Sequence, residues 1–235
     1  MLTEEAHHMF VGESGVGRIV QRTCELMNKY KTYDVREYGG IDLPTLQKYL
    51  NFHFSVSTDL FGQEISTNAA TYYNTSIKGR LDEARINDDH LLHDASYPVL
   101  QVSEEKIVIN ESPALNAINE RLRDDYIVDC DLGMRRWNKI IENSGHEFRF
   151  QLPHRAFNRN IGHFSNIYAD PEGRIISKHE WEKQCYEWLP SESDQSFVHS
   201  LMKPVTEPGK IAGWIAPPKG RINRQSFEFE YVRFN

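Results

Sequence analysis

Leu2-Thr3-Glu4-Glu5-Ala6-His7-His8-Met9-Phe10-Val11-Gly12-Glu13-Ser14-Gly15-Val16-Gly17 opens the chain, and the facing of its side chains decides what the rest can be part of. Apolar or small residues recur at helical spacing through Met9, Gly12, Val16, Ile19, Val20 and Leu26, which predicts a helix over residues 3–31 starting at Thr3. Two carboxylate–imidazole frames compete at its start, Glu4 with His7 and Glu5 with His8. Steps of three or four from Glu5 meet His8, Gly12, Val16, Ile19 and Thr23, a largely apolar or small track. The same steps from Glu4 meet His7, Val11, Ser14, Arg18, Arg22 and Glu25 or Lys29, residues suited to water. The inward pair is therefore expected to be Glu5 and His8.

Outward from this helix, Gly39-Gly40 reads as a loop, and Asp42-Leu43-Pro44 as a second helix start, with Asp at the cap and Pro in the first turn. Leu46, Tyr49, Leu50, Phe54, Leu60, Phe61 and Ile65 predict a buried helix running to about Arg85 with a break near Gly62. The character changes near residue 96, where Val99–Val102 and Lys106–Ile109 predict a hairpin. Ser112-Pro113 is expected to open a long helix, about 113–142, with Leu115, Ile118, Leu122, Tyr126, Cys130, Gly133, Trp137 and Ile140 on one stripe. Phe148–Leu152 and Ile161–Tyr168 read as extended, Asp170-Pro171-Glu172-Gly173 as a turn, and Ser177 with Glu180 as a capping box for a helix ending near Pro190. Ser191–Met202 reads as another helix, and Phe227, Phe229, Tyr231 and Val232 as a final strand. The expected fold is mainly α: residues 1–95 as part of a helical bundle, then a mixed α+β region over 96–235.

At 235 residues, with 39% hydrophobic and 26% charged side chains, the chain can bury a substantial core. A formal charge of -7 leaves no concentrated basic footprint for nucleic acid. No run approaches the roughly 20 apolar residues that span a bilayer, so no membrane partner is expected. Cys24, Cys130 and Cys185 are odd in number and widely spaced, which argues against a disulfide framework and for a reducing cytoplasm.

Glu-x-x-His places a carboxylate and an imidazole one helical turn apart, where both can reach one ion, and di-iron bundles use such a pair on each of two helices plus a Glu from each of the other two. This chain holds the pair once. The plainer reading is a helix start whose acidic residues complement the helix dipole beside solvated histidines. Gly12-Glu13-Ser14-Gly15-Val16-Gly17-Arg18 imitates a phosphate loop, but Arg18 and Ile19 stand where Lys and Ser or Thr do that chemistry. Its glycines are read instead as permitting close helix packing. Asp88-Asp89-His90-Leu91-Leu92-His93-Asp94 reads as solvated surface. His154, Arg155 and Arg159 beside Phe157 are residue types that meet a phosphate, and no role is assigned to them from sequence.

Leu2 to Gly15, Asp42 to His53, Glu64 to Tyr73, Asn119 to Asp125, Trp188 to Asp194 and Phe229 to Asn235 together resemble the oxygenase subunits of the benzoyl-CoA 2,3-epoxidase family. The resemblance covers essentially the whole chain. It implies a ferritin-like di-iron protein that epoxidises the ring of benzoyl-CoA with O2 in aerobic benzoate degradation. Electrons come from NADPH through a separate flavin and iron-sulfur reductase. On this sequence, Glu5 and His8 would be the carboxylate and imidazole metal ligands of one iron, with no catalytic residue beyond the ligands. The family's other Glu-x-x-His pair and remaining carboxylates have no counterpart here, so the expectation is a C-terminal portion of about half the family's length, inactive alone. Two other readings stay open: a metal-free helical binding or scaffold protein of the same fold, and a related di-iron oxidase acting on another acyl thioester.

Overall fold

The computed structural model describes residues 2–66, 71, 95–218, 221–222, 225–226 and 228–234. The fold is mainly α, as expected. Helix α1 spans Leu2–Tyr30, with Glu4 and Glu5 in its first turn and Lys29 in its last, each complementing the helix dipole. Its buried side is Gly17, Val20, Cys24 and Met27, and Thr23 Oγ1 donates to the Ile41 carbonyl at 2.6 Å. Gly17 passes close to Trp137 and Ile140: a Cβ there would meet Ile140 at 3.4 Å and Trp137 at 3.6 Å. Gly12 and Gly15 have nothing near them, so close packing explains only one of the three glycines.

Helix α2 covers Leu43–Asp59 and starts as the sequence predicts, with the Thr45 N–H donating to Asp42 Oδ1 at 2.8 Å. It ends before Gly62, which adopts φ +84°, and Glu64–Ser66 are not helical. Apart from Thr71, the remainder of the helix expected up to Arg85 lies outside the described residues, as does the cluster from Asp88 to Asp94.

Strands β1 (Ser96–Ser103) and β2 (Lys106–Pro113) form the expected antiparallel hairpin, longer than the sequence indicated. Its two-residue turn puts Glu104 and Glu105 at φ 48° and 61°, the left-handed values that a tight hairpin imposes. Ser112 and Pro113 pair with Tyr97 and Ser96, so helix α3 runs Ile118–Asn143 and not from 113. The strand register overrides the preference of Pro for a first helical turn; at the strand's last position its missing N–H costs little.

Ile161–Tyr168 is not extended. Gly162 at φ +81° opens a 3-10 turn over Gly162–Phe164, which delivers Phe164 to a cluster with Ala156 and Ala169 beneath Leu100, Val102 and Ile107 of the hairpin. Phe148–Leu152 forms no strand either, because side chains satisfy its backbone. Asn138 exchanges two hydrogen bonds with Phe150, at 2.7 and 2.9 Å, and Gln47 does the same with Gln151. The Asp170–Gly173 turn is closed by the Gly173 N–H on the Asp170 carbonyl at 2.9 Å and joined by a single antiparallel bridge, Ala169 to Ile175. Helix α4 (Lys178–Trp188) carries the expected cap, the Glu180 N–H donating to Ser177 Oγ and the Ser177 N–H to Glu180 Oε2. Helix α5 (Glu192–Leu201) is capped the same way by Ser191 and Asp194. In the tail, β3 (Lys210–Ala212) pairs in parallel with β6 (Glu230–Val232), and β4 (Arg221–Ile222) in antiparallel with β5 (Gln225–Ser226). Phe227 of the expected final strand lies outside the described residues.

The chain forms two compact units, and α2 and α3 give residues to both. The first comprises Met1–Tyr49, Leu132–Gln151 and Leu189–Asn235; the second comprises Leu50–Asp131 and Leu152–Trp188. Cys24, Cys130 and Cys185 are free thiols. Among the described residues no helix is long and apolar enough to cross a membrane.

The first unit is held by a charged knot. Arg36 bridges Asp42 at 2.5 Å and Asp194 at 2.6 Å, Lys48 reaches Asp194 at 3.2 Å, and the Ser191 N–H donates to Asp194 at 3.0 Å. Burial alone would raise the pKa of Asp194, but its bonds from Arg36, Ser191 and Lys48 outweigh that and hold the carboxyl well below the usual range. A carboxylate with a depressed folded-state pKa adds stability above its unfolded value of about 4 and loses it as pH falls toward the folded value. Stability should therefore decline below about pH 4. Asp194→Ala should remove that portion of the decline and cost about 3 kcal/mol at neutral pH, measured by urea titration at pH 7 and pH 3.

Candidate functional site

Helix geometry brings Glu5 and His8 together: Glu5 Oε2 lies 3.6 Å from His8 Nδ1, with the two side chains 65% and 62% exposed. That is too long for a hydrogen bond. It is close to what one ion requires, since ligand bonds of about 2.1 Å place neighbouring donors about 3 Å apart. A small rotamer change would close the pair on a metal. In kind and spacing the two donors fit an iron ion, but they are two of the four or more that such an ion takes. Among the described residues no group of three or more His, Cys, Asp or Glu side chains converges to hold a metal.

The expected division into an inward and an outward track does not hold here. Residues 3–12 are exposed on every side of the helix, so Glu4 and His7 face solvent as Glu5 and His8 do. Burial begins one turn later, where Arg136 pairs with Glu13 and Trp137 Nε1 donates to the Glu13 carbonyl at 3.1 Å. Further along, the supposedly outward arginines are engaged. Arg18 Nε donates to Ala216 at 2.7 Å, and Arg22 Nε donates to Gly213 at 2.8 Å while its guanidinium lies 3.7 Å from the centre of the Tyr231 ring. These two side chains fasten the tail to α1, a role the helical track could not reveal because the tail is more than 190 residues away in sequence.

Arg155 and Arg159, residue types that meet a phosphate, are committed to carboxylates instead. In the second unit Asp59, Glu64, Glu120 and Asp124 meet Arg123, Arg155 and Arg159. Glu120 takes Arg123 and, at 2.5 Å, Arg155. Arg155 also lies 2.5 Å from Asp124, and Arg159 pairs with Asp59 and, at 3.2 Å, with Glu64. Glu64 further accepts the His163 N–H at 2.7 Å. Arg123 is fully buried, and its remaining donors reach the carbonyls of Thr58 at 3.1 Å and Gly62 at 2.5 Å. The Tyr97 hydroxyl donates to Asp124 at 2.5 Å. Burial first, then that bond, pushes the Tyr97 phenol up to about 12, so it stays a donor. His154 is structural as well: the Ala156 N–H donates to its Nδ1 at 3.1 Å, and burial, reinforced by Arg155, lowers its pKa and favours the neutral ring.

No family model matches the chain. It is 56% identical to benzoyl-CoA oxygenase component B of Aromatoleum evansii over 238 aligned positions. The chain is homologous to that component. The match takes in 100% of this chain, which spans about half the length of the curated relative. The ion cluster of the second unit was not assigned from the sequence. A signal for the cluster existed: Glu120, Arg123 and Asp124 lie at steps of three and four on α3, so opposite charges share one face of that helix.

Proposed function

We propose that this chain is part of a ferritin-like di-iron oxygenase that epoxidises the ring of benzoyl-CoA, with Glu5 and His8 as ligands of one iron. The observation that carries the reading is 56% identity to benzoyl-CoA oxygenase component B along the entire chain. The word "component" in that name fits a system with a separate electron donor, here an NADPH-dependent flavin and iron-sulfur reductase. An iron pair, when bound, would supply the redox chemistry for reducing O2, with one oxygen atom entering the ring, the other released as water and the two electrons drawn from NADPH. Glu5 contributes a carboxylate able to bind through one oxygen or two. His8 contributes a neutral imidazole, whose other ring N–H needs an acceptor to fix the tautomer. The remaining ligands are assigned to polypeptide corresponding to the half of the relative that this chain does not span.

The test combines this chain with that half of the Aromatoleum evansii component, made as a separate polypeptide. Iron content and, with NADPH and the system's reductase added, benzoyl-CoA-dependent O2 uptake should appear in the mixture and be absent from either part. His8→Ala in the mixture should at least halve the bound iron and abolish uptake. Two tightly bound irons with turnover in this chain alone would overturn the shared site, and no iron in the mixture would favour a metal-free scaffold.

A further inference from the structure

Helix α2 carries an apolar stripe that the described residues leave open. Tyr49-Leu50-Asn51-Phe52-His53-Phe54-Ser55-Val56-Ser57-Thr58 contains no Asp, Glu, Lys or Arg. Phe52 is nevertheless 41% exposed, Val56 42%, and Leu60, just past the helix end, 83%. The three recur at steps of four, the spacing of a ridge that packs into the groove of another helix. A helix face meant for water normally carries charges. This stripe is also not the edge of the unit's core, because other residues of α2 face inward. Phe54, Ser55 and Thr58 are buried, Asn158 Nδ2 donates to Ser55 Oγ at 3.0 Å, and Asn51 Nδ2 donates to the Trp188 carbonyl at 3.0 Å.

We infer that Phe52, Val56 and Leu60 dock a helix from polypeptide corresponding to the half of the Aromatoleum evansii component that this chain does not span. The inference rests on the proposed function for its occupant. The match uses half of the relative, so a comparable length remains to cover the surface. A second copy of this chain is a poorer occupant: a two-fold contact centred on three side chains, two of them already partly covered, falls far short of the about 800 Å² per partner of a stable interface. The remaining length also has Met9 and Phe10 of α1, both 68% exposed, to cover.

The experiment measures binding of that separately made half to this chain by isothermal titration calorimetry in iron-free buffer. Val56→Lys and Leu60→Lys alter side chains that are already exposed, and unchanged thermal melts will confirm that the variants fold. Each should weaken binding at least tenfold, whereas Lys178→Ala, at an exposed ion pair of α4, should leave it unchanged. Wild-type affinity in both lysine variants would overturn the inference, as would no binding by the wild-type chain. So would a wild-type dimer in sedimentation that Val56→Lys converts to monomer, since the occupant would then be a second copy. The functional reading fails separately: mixtures that bind through the stripe yet take up no iron would remove the oxygenase and keep the docking surface.

Discussion

Arg123→Met is expected to destabilise the protein by about 4 kcal/mol, a large part of the 5–15 kcal/mol that holds a typical domain together. The guanidinium has no exposure and bonds to Glu120 and to the carbonyls of Thr58 and Gly62, with Glu64 at 3.8 Å. Methionine fills comparable space but leaves the Glu120 and Glu64 carboxylates buried with less positive charge beside them. For a chain of this size the midpoint of thermal unfolding should fall by about 10 °C. Lys139→Met is the control: its ion pair with Glu142 lies in solvent, and its loss should change stability by less than about 0.5 kcal/mol. Glu120→Gln combined with Arg123→Met should recover part of the loss, because it removes one uncompensated charge along with its partner. Equal melts for Arg123→Met and Lys139→Met would show that the cluster is not what secures this unit.

That cluster marks the limit of what the chain discloses when read as letters. Local signals were legible: Asp42 ahead of Pro44, Ser177 with Glu180, Asp170 to Gly173 and the alternation around Val99 and Ile107 each set structure within a few residues, and each formed as read. The side-by-side placement of Glu5 and His8 was legible for the same reason, the two being one turn apart. What stayed hidden depends on partners distant in sequence. Pro113 looked like a helix opener until Ser96 claimed it as a strand partner, and Arg18 and Arg22 looked solvated until the tail reached them. Arg159 could be read as an anion site only while Asp59 and Glu64, about a hundred residues earlier, were out of view.

Gly162→Ala is expected to be nearly as damaging as the loss of Arg123. Gly162 sits at φ +81°, where a side chain costs about 1 kcal/mol by itself. A Cβ there would also overlap Glu64 Oε2 and lie 2.8 Å from its Cδ. Glu64 has little freedom to retreat, since it is fully buried, accepts the His163 N–H at 2.7 Å and meets Arg159 at 3.2 Å. Moving it would strip a guanidinium and a backbone N–H of their acceptor, adding about 2–3 kcal/mol. Gly145 separates the two contributions: it has nearly the same backbone, φ +83°, with nothing within 4 Å of its would-be Cβ. Gly145→Ala should therefore cost only about 1 kcal/mol and Gly162→Ala about 3–4 kcal/mol, both from denaturant titration. Glu64→Ala is itself destabilising, yet the double variant Glu64→Ala with Gly162→Ala should cost clearly less than the sum of the singles, because the alanine methyl then occupies space the carboxylate has vacated. Equal losses for the two glycine variants, or strict additivity in the double variant, would mean that the 3-10 turn is not shaped by the carboxylate packed against it.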